Sequence, residues 1–276
     1  MNRLHRKYAD SKQLAVKLRS DILQMIHDAE GSHTGSALSA ADILAVLYYS
    51  YLNYSPENPA DDCRDRVIFS KGHGGAGLYA VLAASGFFPE KWLKTYCQNN
   101  SPLSGHINSH QVPGVEFSTG SLGHGLPVAS GLALSLKMRK NPARVIVIMG
   151  DGECDEGSVW ESALFAAAHH LDNLTVIIDR NRIQALGNTE DIMPLEPLAD
   201  KWRSFNWHTR RINGHDHTQL LEALQQDFPD APKCIIADTV KGKGVSFMEN
   251  QLLWHYRTPD DEQLYRAINE LTEMDK

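Results

Sequence analysis

The sequence predicts an α/β fold, a doubly wound and mostly parallel sheet flanked by helices, and two observations carry that expectation. The runs VIVIM (145–149), LTVIID (174–179) and CIIAD (234–238) are short, apolar and rich in β-branched residues. Each ends at polar or glycine-rich sequence, the pattern of strands buried on both faces. Between the first two lies SVWESALFAAAHHL, long and alanine-rich enough for a crossover helix, so 144–180 reads as a βαβ unit.

The flanking elements follow in order. Residues 11–29 place Leu14, Leu18, Ile22, Met25 and Ile26 on one stripe at helical spacing. Ser39 with Asp42 three residues later predicts a capping box, opening a second helix whose buried face starts with Ile43, Leu44 and Leu47. Val67–Ser70 and His208–Ile212 are two further strand candidates. Near the end, Thr258 as N-cap, Pro259 in the first helical position and Asp260 and Asp261 in the first turn predict a last helix through Leu264, Ile268 and Leu271. No repeat or low-complexity linker divides the chain, so 1–276 is expected to be one domain.

Composition limits the function. With 42% hydrophobic and 22% charged residues, the chain has enough apolar sequence for a sizeable core. A formal charge of −7 gives no basic footprint, which argues against nucleic acid as a partner. The polar start MNRLHRKYADSK lacks the apolar core of a signal peptide, and no later run approaches a membrane span; a cytoplasmic protein is the expectation. Cys63, Cys97, Cys154 and Cys234 form no CxxC pair and are read as reduced and structural, with Cys154 of interest because it lies inside the strongest motif.

That motif follows the first two strands. Gly150-Asp151-Gly152-Glu153 comes directly after VIVIM, and Arg180-Asn181-Arg182-Ile183 directly after LTVIID. In a βαβ unit, Asp151 and Asn181 emerge at the same sheet edge from adjacent strands, where an open α/β sheet binds its ligands. A carboxylate and an amide oxygen facing one crevice suit a hard cation such as Mg²⁺, which takes few protein oxygens and leaves the rest to phosphate and water. The flanking glycines let backbone N–H groups approach phosphate closely. Taken alone, Gly-Asp-Gly is equally an ordinary turn.

GDGECDEG followed by DRNRI resembles the transketolase form of the thiamine-diphosphate signature. The resemblance extends in order over nearly the whole chain. Ser32-His33-Thr34-Gly35 is similar to a GHPG segment with two substitutions, and Phe69-Ser70-Lys71-Gly72-His73-Gly74 is similar to LSxGHG. Gly105-His106, Ser118-Thr119-Gly120-Ser121-Leu122-Gly123-His124-Gly125, Lys241-Gly242-Lys243-Gly244 and His255 follow. It implies a thiamine-diphosphate-binding domain of the diphosphate (PP) type with thiamine diphosphate and Mg²⁺ as cofactors. Asp151 and Asn181 would ligate the metal through side chains and Ile183 through its carbonyl; Gly152, Asn181, His73 and His255 would contact the cofactor. Gly120, Ser121 and Leu122 would lie along its rings. His33, His106 and His255 would serve catalysis on the sugar-phosphate substrate, imidazoles being able to donate or accept near neutral pH. The family usually has Asn where this chain has Arg180.

For the other histidines the ordinary reading is kept. His5, His27, His110, His169, His170, His208, His215 and His217 are expected to be structural or superficial. His124, where the family commonly has Gln, is expected just behind the residues that touch the ligands. Lys243 has phosphate as a possible neighbour and solvent as the commoner one, and Glu156 resembles a glutamate near a subunit contact.

Full-length transketolases carry three domains, and 276 residues accommodate the first. The resemblance therefore implies an N-terminal subunit of a split transketolase that transfers a two-carbon ketol unit. Its partner would be a C-terminal subunit with the pyrimidine-binding domain and the catalytic glutamate, two copies of each forming a heterotetramer. The Met1 start and EMDK end fit the first member of such a pair. Alternatives are a subunit related to deoxyxylulose-phosphate synthase or to the first component of 2-oxoacid dehydrogenases, or a non-catalytic thiamine-diphosphate-binding regulatory subunit. The histidine set favours transketolase over the dehydrogenase component.

Overall fold

The computed structural model describes residues 3–274. The elements run α1 (Arg3–Lys7), α2 (Ser11–Asp28), α3 (Thr34–Ser39), α4 (Ala41–Val46), β1 (Arg66–Phe69), α5 (Gly75–Ser85), α6 (Gly125–Met138), β2 (Val145–Gly150), α7 (Gly157–Ala168) and β3 (Leu174–Arg180). Then come α8 (Thr189–Ile192), α9 (Leu198–Ser204), β4 (His208–Asn213), α10 (His217–Gln225), β5 (Lys233–Asp238) and α11 (Asp261–Met274). The five strands form one sheet in the order β1-β2-β3-β5-β4, and every pairing is parallel. β2 and β3 are neighbours, with Gly150 in register with Asp179, so their carboxyl ends open side by side.

Strand alternation divides the core between the two faces of this sheet. Ile146, Ile148, Ile177 and Ile235 pack with α2, α4, α5, α10 and α11, while Val145, Val147, Met149, Val176, Ile178 and Ile236 pack with α6, α7 and α9. Because both faces are covered, β2 and β3 are buried along their whole length. This is why they read as unbroken apolar runs rather than alternating ones.

Both weaker strand candidates are strands, with β1 and β4 at the sheet edges. α2 begins where the stripe predicts, capped by Asp10, whose side chain accepts from the N–H groups of Lys12 and Gln13. Two predicted caps are corrected. Ser39 is the last residue of α3, and its hydroxyl donates to the carbonyl of Ser36 and to Asp179, so no capping box forms. At the last helix the reciprocal pair is Asp260 and Gln263: Oδ1 of Asp260 accepts from the N–H of Gln263 at 2.9 Å, and Gln263 Oε1 accepts from the N–H of Asp260 at 3.1 Å. Thr258 Oγ1 instead donates to the carbonyl of Gly31. In both places a tertiary acceptor draws the hydroxyl away from the local N–H.

Candidate functional site

Four chain segments leave the carboxyl ends of β1, β2, β3 and β5 and meet there. Glu153, 1% exposed, ties two of them, those after β1 and β2, to the loop ahead of α6. Its Oε2 accepts from the N–H of Gly150 at 2.9 Å, and its Oε1 accepts from the N–H of Gly123 at 3.1 Å and from Ser70 Oγ. Burial pushes its carboxyl above the ordinary range, and these donors work against that shift. Gly72 brings the 70–74 and 119–120 segments into contact: a Cβ there would lie 2.5 Å from the carbonyl oxygen of Thr119.

The result is a cavity of about 270 Å³. Asp151, Gly152, Asn181 and Ile183 line it from the β2 and β3 ends, and His33, His73, His106 and His255 line it together with Gly120 and Leu122. Segments far apart along the chain thus converge as the motif order predicts. Ser121 is the exception, being exposed and outside the lining.

The four imidazoles form one cluster with His33 at its centre. Its ring centroid lies 5.4 Å from that of His73, 5.7 Å from His106 and 5.0 Å from His255. His33 sits in the left-handed region, φ 70°, ahead of α3, and its N–H donates to the carbonyl of His255 at 2.8 Å. A non-glycine residue in that region is held by its surroundings, and such positions cluster at functional sites. Burial, followed by His106 and Lys241, pushes His33 down to about 4; burial, followed by Lys241 and His33, pushes His255 down to about 3. Burial and then Lys71 hold His73 well below its ordinary value. These three rings are therefore neutral at pH 7.

Neutrality has a stability consequence. From pH 6.5 down to the lowered values, the unfolded chain takes up protons that the folded chain refuses. The contribution is complete above pH 6.5 and is lost as pH falls. The urea midpoint is expected to drop more between pH 7 and pH 5 for the wild type than for a His33→Asn/His255→Asn variant. Equal drops would show that these rings do not resist protonation.

Two lysines complete the site, and sequence reasoning did not select them. Lys241, 1% exposed, donates from Nζ to the carbonyl of Ile183 at 2.7 Å and to His255 Nδ1 at 2.9 Å. Accepting at Nδ1 leaves the His255 proton on Nε2. Burial, followed by Lys71, pushes Lys241 down to about 8. Lys71, fully buried, pairs with Asp179 and donates to the carbonyl of Ser36 at 2.9 Å. Asp179 also accepts from Ser39 and Thr239; burial disfavours its ionised form, and Lys71 with these hydroxyls outweighs burial and holds it below the ordinary carboxylate range. Lys243, the lysine considered from the sequence, is instead paired with Glu249 at 3.1 Å, outside the cavity.

The donor set fits a hard cation. Asp151 is a carboxylate, Asn181 offers an amide oxygen and Ile183 a carbonyl, all lining one cavity. Among the described residues no group of three or more His, Cys, Asp or Glu forms a metal-binding cluster. Arg182, φ 66°, makes the turn between Asn181 and Ile183, and its N–H donates to Asp151 Oδ2 at 2.7 Å.

The remaining candidates lie elsewhere. All four cysteines are free; Cys154 is buried in the core beneath α7, where burial pushes its thiol well up. His215 and His217 bond to Asp42, His27 to Asp28 and Asp261, His5 to the carbonyl of Tyr49 and His170 to that of Asp230. His124 is exposed and bonded to the carbonyl of Leu122. Glu156 is exposed at the start of α7.

Comparison with known proteins agrees with this geometry. Residues 10–265 match the family described as transketolase, thiamine diphosphate binding domain. The chain is 41% identical over 273 residues to one of the subunits of apulose-4-phosphate transketolase from Actinobacillus succinogenes, covering 98% of this chain and 99% of that one. It is 40% identical over 264 residues to the 6-deoxy-6-sulfo-D-fructose transketolase subunit SqwG of a Clostridium species, covering 95% and 96%. Transketolase from Campylobacter jejuni superposes with a TM-score of 0.89 at 31% identity, covering 95% of this chain and 42% of that one. The chain thus spans about two fifths of the transketolases of solved structure that it matches. With the Asp151, Asn181 and Ile183 oxygens and the histidine cluster in one cavity at the sheet edge, the chain belongs to the transketolase family of thiamine-diphosphate-dependent transferases, its cofactor being thiamine diphosphate with a divalent metal such as Mg²⁺.

Proposed function

We propose that this chain is the diphosphate-holding subunit of a two-chain transketolase that moves a two-carbon ketol unit from a ketose phosphate to an aldose. The observation that carries the reading is that one cavity joins an oxygen donor set on one wall to an imidazole cluster on the other. Asp151, Asn181 and Ile183 would hold Mg²⁺, with Gly152 and His73 against the diphosphate. When bound, thiamine diphosphate supplies the carbon nucleophile that takes up and releases the two-carbon unit. His33, His106 and His255 would bind the substrate's hydroxyl and carbonyl oxygens. His255, with its proton on Nε2, is prepared to donate there, and a fixed neutral donor stabilises negative charge developing on oxygen.

The rest of the enzyme is assigned to a partner chain with a pyrimidine-binding domain and its glutamate, two copies of each chain forming a heterotetramer. Gly120, Ser121 and Leu122 are exposed beside the cavity, and Leu164 and Phe165 are exposed on α7, as expected where a second chain closes over a cofactor. The names of the two similar subunits support the same division. Free cysteines support a cytoplasmic setting, and among the described residues no helix is long and apolar enough to cross a membrane.

The test is a ketol-transfer assay on this chain alone and mixed with the chain encoded beside it. No transfer alone and transfer from the mixture is the expected result, because closing the cofactor's pyrimidine end takes walls from two chains. Robust turnover by the homogeneous chain would refute the division. A complex that binds cofactor but transfers nothing across a broad sugar panel would identify a regulatory role instead.

A further inference from the structure

Arg180 stands directly before Asn181, one of the residues read as holding the metal, and the structure shows what its guanidinium does there. It is 1% exposed. Nη1 donates to Asp151 Oδ2 at 2.8 Å, and Nη2 donates to Glu190 at 2.5 Å and reaches Glu196 at 3.5 Å. Asp151 Oδ2 also accepts from the N–H of Arg182 at 2.7 Å and from Thr189 Oγ1 at 3.3 Å. Among the described residues Oδ1 accepts only from the N–H of Gly152, at 2.9 Å. One oxygen of the carboxylate therefore carries three donors and the other one.

We propose that Arg180 is a positioning residue that keeps Asp151 a one-oxygen ligand, through Oδ1, and so selects a small octahedral cation over calcium. The inference rests on the reading of Asp151, Asn181 and Ile183 as the metal-holding set. Mg²⁺ requires near-ideal octahedral geometry, whereas Ca²⁺ takes six to eight oxygens in flexible geometry and readily takes both oxygens of a carboxylate. A planar guanidinium with its fork fixed at both ends resists the rotation that would bring Oδ2 to the metal. Those ends are fixed: Arg211 binds both oxygens of Glu196 at 3.1 Å and also Asp238, and Glu190 accepts from the N–H of Leu195 at 3.2 Å.

The experiment is calorimetric titration of thiamine diphosphate into the full chain, alone and with its partner chain, in Mg²⁺ and separately in Ca²⁺. Variants are Arg180→Met/Glu190→Gln/Glu196→Gln, which leaves no carboxylate of the fork unpaired by the loss of Arg180 except Asp151, and Glu190→Gln/Glu196→Gln as control. The triple variant is expected to lower the Mg²⁺-to-Ca²⁺ affinity ratio by about 10-fold, the scale of one charge-assisted hydrogen bond, while the double variant keeps the wild-type ratio. A folded triple variant with the wild-type ratio would overturn the proposal. If the triple variant does not fold, Arg180→Lys decides: one donor in place of a fork should lower the ratio in part, and an unchanged ratio would again overturn it. A wild-type complex that binds thiamine diphosphate equally well without any metal would remove the metal reading itself, and this inference with it.

Discussion

Replacing Asp151 with alanine is expected to weaken metal-dependent binding of thiamine diphosphate by more than about 100-fold. Loss of a partner that merely orients a metal ligand commonly costs roughly 10- to 100-fold, and Asp151 is the sole carboxylate of the donor set, so its removal should exceed that range. The fold should survive. Arg180 keeps Glu190 and Glu196 as counter-charges, Gly152 lines a cavity that water can enter, and Arg182 is exposed. Asp151→Asn, which keeps an oxygen at Oδ1 without the charge, should fall between alanine and wild type. Calorimetric titration of thiamine diphosphate with Mg²⁺ reads the effect, with the far-ultraviolet spectrum as control for folding. Wild-type affinity in a folded Asp151→Ala protein would remove this residue from the site.

Lys71→Met is expected to cost about 3–5 kcal/mol of stability, the range for removing one partner of a buried ion pair. Lys71 and Asp179 are both fully buried, and the substitution leaves Asp179 with only the hydroxyls of Ser39 and Thr239. An uncompensated carboxylate in that position must either stay charged without a counter-ion or take up a proton, and both are costly. Replacing the pair together, Lys71→Met/Asp179→Val, should recover most of the loss, because a well-packed apolar pair is often no less stable than a buried ionic one. The urea midpoint of the three proteins decides the matter. A Lys71→Met protein as stable as wild type would mean that water or a relaxed backbone reaches Asp179. The charge pair also sits directly beneath the cavity that Lys71 lines, so restored stability in the double variant need not bring restored cofactor binding.

The fold was legible because both faces of the sheet are covered, which makes β2, β3 and β5 continuous apolar runs that periodicity and composition detect without tertiary information. β4 was a weaker signal for the matching reason, being an edge strand with mostly exposed or half-buried residues, and β1 because it is only four residues long. The caps at Ser39 and Thr258 misled because a hydroxyl's local acceptors and donors are visible in the sequence, whereas Asp179 and the carbonyl of Gly31 lie 140 and 227 residues away. Asp151, Asn181 and His73 could be named because polar residues directly after strands fall at the ligand-binding edge of an open sheet, whereas His33, His106 and His255 follow no strand and could be named only from the family resemblance.

By itself the sequence determined the α/β class, the sheet edge that carries the site and the residue types gathered there. Only the tertiary structure decided how charge is distributed among them. Burial and converging cations keep His33, His73 and His255 neutral, which depends on Lys71 and Lys241 being brought together from the ends of β1 and β5. Lys241 rather than Lys243 reaches the Ile183 carbonyl, although the two stand two residues apart in the same glycine-rich segment, because the turn at Gly242, φ 81°, sends one side chain to Ile183 and His255 and leaves the other with Glu249. Arg180 appears in the sequence as a bare departure from a family pattern. Its role exists only where Asp151, Glu190 and Glu196 meet it in space, because the energy of a charged group is set by which groups surround it and how far water is excluded, and neither is written in the order of residues.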